Sequence, residues 1–183
     1  RYSLSDLEIT DSYLTGGFPS AVDLDEVGEY LYVGDKGGDE AGNGRVLRID
    51  AATGAEFSLP MLEDSDTGDG LRLSELVLLP SGKILFSVID DDGIFLVDPG
   101  VAQVPRRISN GPSSSLGIHF SPTPDGAKIA VFGDSSFALF DTATETLGAV
   151  QELGAITTER GYTSINRDGT LVAVGESEGV WQW

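Results

Sequence analysis

The chain has 183 residues, 40% of them hydrophobic and 24 of them glycine, which suits one folded domain over 1–183 and is too apolar for a disordered chain. Thirty acidic residues against eleven basic ones leave a formal net charge of −19, a field that repels nucleic-acid backbones and anionic lipid surfaces. With no cysteine there is no disulfide framework and no thiolate metal site, and no apolar run approaches the roughly 18 residues of a membrane span.

The chain begins at Arg1 rather than Met, so a processed product or an excised piece is expected. Over residues 3–10, Leu7 and Ile9 alternate with Asp6, Glu8 and Thr10 and predict a strand, while Ser5 and Glu8 also have the spacing of a helix capping box. Gly16, Gly17 and Pro19 end that segment. A first unit follows, with strands predicted near 21–25, 29–34, 45–50 and 54–60, because short β-branched and aromatic runs alternate with Gly and Asp turns. The phrase returns around Ile84–Val88 and Ile94–Val97, around Ile129–Phe132 and Phe137–Phe140, and around Leu171–Val174 and Gly179–Trp183. The fourth unit stops one strand short.

The glycines before each second strand, Gly28, Gly82, Gly126 and Gly169, are 54, 44 and 43 residues apart. About 40–45 residues for four strands is the period of a propeller blade. The longer first spacing is explained by two acidic insertions, Lys36–Gly44 and Glu63–Arg72. The predicted fold is all-β, a β-propeller of four blades of four antiparallel strands, with blades at about 19–60, 73–108, 115–152 and 161–183. Residues 3–10 supply the missing outer strand and close the ring, so that no sheet edge is left open. The alternative is a fragment of a larger propeller. A β-sandwich leaves the repeated phrase unexplained.

Pro19, Val22, Gly28, Leu31-Tyr32-Val33, Ile49-Asp50 and Thr53-Gly54 resemble the YVTN and NHL type of propeller repeat, and Pro124-Asp125-Gly126, Phe140-Asp141 and Asp168-Gly169 echo it. The resemblance covers nearly the whole chain and is specific to the repeat class. Glu26-Val27 before Gly28 and the two insertions depart from the pattern. Such repeats serve secreted binding proteins, surface-layer proteins and lactonase-like enzymes. The resemblance therefore implies an extracellular, periplasmic or cell-surface location. Lactonase-like members hold a divalent metal with Glu, Asp and Asn side chains, for which Glu75, Asp23 and Asn166 are the counterparts, in differing registers.

Blade topology puts loops between second and third strands on the same face as loops joining one blade to the next. Both insertions therefore project from one face. The acids ending each second strand join them there: Asp35, Asp90 (extended by Asp91 and Asp92), Asp134 and Glu176, with Asp39, Glu40 and Glu178 close by. The plainer alternative is that aspartate ends strands because it caps turns. That explanation is the better one for Asp50, Asp98 and Asp141 on the opposite face.

Asp64, Asp66 and Asp69, with Glu75 twelfth from Asp64, offer the oxygen-rich spacing that wraps a hard cation, which makes Ca²⁺ the candidate ion. Because Glu75 begins a strand, an EF-hand is excluded, and a simple acidic connector is the competing reading. Asp23, His119 and Ser164 on first strands invite a hydrolase reading, but no nucleophile elbow surrounds Ser164. Tyr162, Trp181 and Trp183 read either as core or as a stacking surface for a sugar. The expected function is a non-enzymatic binding or surface-assembly module that presents its acidic face to a protein, small-molecule or glycan ligand, or to further blades or chains. The alternative is a metal-dependent lactonase-like hydrolase.

Overall fold

A computed structural model of the protein describes residues 18–25, 27–36, 44–59, 72–89, 91–101, 105–114, 117–153, 162–170, 172–176 and 179–182. These residues form four antiparallel sheets, and among them there is no helix. In particular, no helix is long and apolar enough to cross a membrane. The first sheet runs β1 (Pro19–Leu24), β2 (Tyr30–Asp35), β3 (Arg45–Asp50) and β4 (Glu56–Ser58), each paired with the next. The second repeats this with β5 (Leu73–Leu78), β6 (Ile84–Val88), β7 (Asp91–Val97) and β8 (Arg106–Asn110).

In the third sheet, β9 (His119–Pro122), β10 (Lys128–Phe132) and β11 (Ser136–Asp141) are followed by a divided outer strand. The fourth strand expected at the close of the 115–152 blade is split into β12 (Thr146–Leu147) and β13 (Gln151–Glu152), which pair with opposite ends of β11. Between them the Gly148 N–H reaches Leu139 O at 2.8 Å, and the chain leaves the ladder until Gln151. The described strands of the fourth sheet are β14 (Tyr162–Ile165), β15 (Val172–Glu176) and β16 (Gly179–Gln182). The strand predicted over 3–10 lies outside the described residues.

Each first-to-second turn is built alike. The N–H groups of Gly28, Gly82, Gly126 and Gly169 close i to i+3 bonds onto Asp25, Leu79, Thr123 and Asn166, at 2.9, 2.8, 2.8 and 3.0 Å. All four glycines have left-handed φ, from 67° to 79°. A side chain is strained there, which is why glycine marks the period. At the other turns of the same end, Asp50 Oδ1 accepts the N–H of Ala52 and Thr53, and Asp98 Oδ1 accepts that of Gly100. Asp141 Oδ1 accepts the N–H of Ala143 and Thr144. These three aspartates are turn caps. The bonds from Thr53 and Thr144 hold the Asp50 and Asp141 carboxyls below their usual range.

First strands lie side by side in chain order, β1 against β5, β5 against β9 and β9 against β14. Consequently the middle sheets are covered on both faces, and β6 is buried at every residue. Its alternation is divided between two interfaces. Ile84, Phe86 and Val88 pack with Tyr32 and Val46 of the first sheet, whereas Leu85 packs with Ile129 and Phe140 of the third. In β10, Ile129 and Val131 face the second sheet, while Ala130 and Phe132 pack with Ile165 of the fourth. Stacked pairs Phe86–Phe95 (5.5 Å) and Phe132–Phe137 (6.0 Å) fill the layers, and each fully buried large side chain contributes about 1.5–3 kcal/mol.

Candidate functional site

At the end of the molecule where first strands begin, the described residues include Asp35, Glu75, His119 and Asp134. Ser20 Oγ, at the start of β1, donates to Gly34 O (3.2 Å) and lies 3.1 Å from Leu73 O at the start of β5. The stretch 37–43 leaves from the end of β2, and the stretch 60–71 ends at β5. Their roots are therefore neighbours. Asp39, Glu40, Asp64, Asp66, Asp69 and Asp90 lie outside the described residues.

Asp35 does not offer its carboxylate to a partner. It is fully buried, with Oδ1 accepting the Phe18 N–H at 2.8 Å and Oδ2 3.5 Å from Arg45 Nε. Its register partner Pro19 has no N–H, and the carboxylate takes the amide before it instead. Asp134 is half-buried and accepts the Ser114 hydroxyl at 2.9 Å, fixing the entry to β9. Asp91 and Asp92 belong to β7 itself rather than to the loop before it, with Asp91 opposite Val88 across an irregular step. Glu176 ends β15 as expected, in register with Gly179.

Glu75, expected to complete a calcium loop, reaches the third sheet with one of its oxygens. Its Oε2 accepts the Phe120 N–H at 2.9 Å and lies 3.1 Å from His119 Nδ1, which donates to it. That bond raises the His119 pKa above its ordinary 6.5 and outweighs burial, which acts the other way. Asp134 adds to the rise and Lys36 opposes it, so groups from three sheets feel one another here.

The hydrolase and lactonase sets are not assembled. Asp23 stands towards the far end of β1, where Oδ2 accepts the Leu78 N–H at 2.7 Å and Oδ1 that of Leu24 at 2.8 Å. His119 is held by Glu75, and Ser164 is exposed on β14. Asn166 caps the β14–β15 turn through Thr170, accepting its N–H at 2.9 Å. Among the described residues no three His, Cys, Asp or Glu side chains are close enough to hold a metal ion. Tyr162 and Trp181 occupy adjacent register rows rather than one, opposite Gly175 and Val174 respectively, and Trp183 lies outside the described residues.

Sequence reasoning missed a cleft of about 250 Å³ at the opposite end. It lies between the close of β1 (Asp23, Leu24), the β5–β6 turn (Leu78–Pro80) and the β9–β10 turn (Thr123–Gly126). Only the side-by-side setting of three first strands creates it, and no local pattern signals that.

No protein-family model and no curated protein matches the chain. Among solved structures, 99% of it superposes on PorZ of Porphyromonas gingivalis, described as an essential bacterial surface component of the type-IX secretion system, with a TM-score of 0.64. The likeness is one of fold. Sequence identity is 11%, and the chain spans 21% of the length of PorZ.

Proposed function

We propose that the chain is a non-enzymatic binding or surface-assembly module whose rigid stacked sheets present two acidic stretches to a partner, with Ca²⁺ held by Asp64, Asp66 and Asp69. The observation that carries this is the common root of those stretches, where Ser20 ties the ends of β2 and β5 together. Glu75 stands at the edge of that set, with Oε2 already accepting from Phe120 and His119. The sheets are the blades of a propeller, with residues 3–10 adding a strand to the fourth. Three interfaces in series between consecutive first strands support that arrangement. A ring with more blades is the second reading, favoured by the far longer PorZ chain. An extracellular, periplasmic or cell-surface setting accords with the description of PorZ as a surface component. The positions of Asp23, Glu75 and Asn166 give the lactonase reading no support.

A cation that binds only the folded chain stabilises it by about 2.7 kcal/mol at a hundred times its Kd, a rise in Tm of about 5–10 °C for a chain of this size. Millimolar Ca²⁺ should therefore raise Tm and EDTA lower it, with Mg²⁺ weaker because it sheds water reluctantly. If matched NaCl reproduces the whole shift, or Asp64→Ala with Asp66→Ala leaves it intact, the 60–71 stretch is a connector and no site.

A further inference from the structure

We propose that the cleft at the turn-bearing end receives a single lysine or arginine side chain from a basic partner, independently of the acidic insertions. Its volume of about 250 Å³ is below the roughly 300–1,000 Å³ of clefts that engulf a drug-sized ligand, and it suits one long side chain. The walls are of two kinds. Leu24, Leu78, Pro80 and Pro124 are apolar and suit a methylene stem, while Asp23 and Asp125 supply carboxylates from separate elements.

Both carboxylates keep accepting capacity after their structural duties. An ionised carboxylate offers about four lone-pair sites. Asp23 uses one on each oxygen, for the amides of Leu24 and Leu78. Asp125 accepts the Thr123 hydroxyl at 2.8 Å and the Ala127 N–H at 3.1 Å on Oδ1. These bonds also keep Asp125 ionised at lower pH than an ordinary aspartate.

The chain's nearby cations do not fill the place. Lys83 and Arg106 are both bound to Glu145, and Arg167 acts on Asp125 through space without an ion pair. A net charge of −19 draws a basic partner towards the whole molecule, and the cleft gives its side chain a defined seat. Pro80 and the Pro124–Gly126 turn make that seat stiff, which limits the ordering cost of binding.

The test is a titration of the ¹⁵N-labelled chain, at constant ionic strength, with the N-acetyl methylamides of lysine, arginine and norleucine. Saturable shifts for lysine or arginine should centre on Leu24, Leu79 and Thr123–Ala127, with norleucine giving none. Asp125→Asn keeps the turn's acceptor and should weaken binding about tenfold, a loss of about 1.4 kcal/mol. Leu24 is exposed, so Leu24→Lys should leave Tm unchanged while its own ammonium occupies the cleft and abolishes the response. Shifts that fail to saturate, an equal response to norleucine, or binding unaffected in both variants would each overturn the assignment.

Discussion

Gly82 and Gly133 are required for different physical reasons, and substituting each separates them. At Gly82, φ is +79° and an added Cβ meets nothing within 4 Å, so Gly82→Ala tests backbone strain alone. It should cost about 1–2 kcal/mol, read as a fall in Tm of about 2–8 °C. At Gly133 a Cβ would stand 2.3 Å from Ser113 O, a main-chain atom that cannot swing aside. Gly133→Ala should therefore cost more than Gly82→Ala, by about 1–3 kcal/mol of overpacking. Equal Tm values for the two variants would contradict this. Gly82 was legible in the sequence because a turn states its own needs locally, as do Asp50, Asp98 and Asp141, whose partners lie two or three residues on. Asp35 was not, since its partner Phe18 is 17 residues away and nothing nearby distinguishes a buried acid from a surface one.

At the level of elements, the same contrast separates the strands from the contacts between sheets. The run Ile84-Leu85-Phe86-Ser87-Val88 announced a strand, and β6 is buried at every residue. Which sheet each residue meets depended on stacking that no single run encodes, and so did the bond from Glu75 to the third sheet across 45 positions. That bond has a measurable consequence. Because His119 has its pKa raised above 6.5 in the folded chain, its protonated form adds stability in full below pH 6.5. The contribution is lost as pH rises through the folded value. Since His119 is the chain's single histidine, the urea midpoint should fall from pH 6.5 upward through that range, and Glu75→Gln should flatten the fall. An unchanged slope in Glu75→Gln would detach the effect from this pair.

For the whole molecule, the repeat period announced four units, and the described residues form four sheets, with the outer strand of the third divided where Gly148 turns the chain aside. Closure by residues 3–10 remains a proposal with a direct test. Deleting them should leave the fourth sheet an open edge and cause aggregation or a lower Tm. A truncated chain that stays monomeric at an unchanged Tm would show that the ring is completed otherwise. Between the sheets, side chains clasp main chain: Asp23 takes the Leu78 N–H and Glu75 takes that of Phe120. A peptide amide is the one partner that every residue except proline carries. When a unit of this kind is copied in tandem, the newcomer already offers what its neighbour grips, so the array can lengthen without a matched pair of substitutions at each new joint.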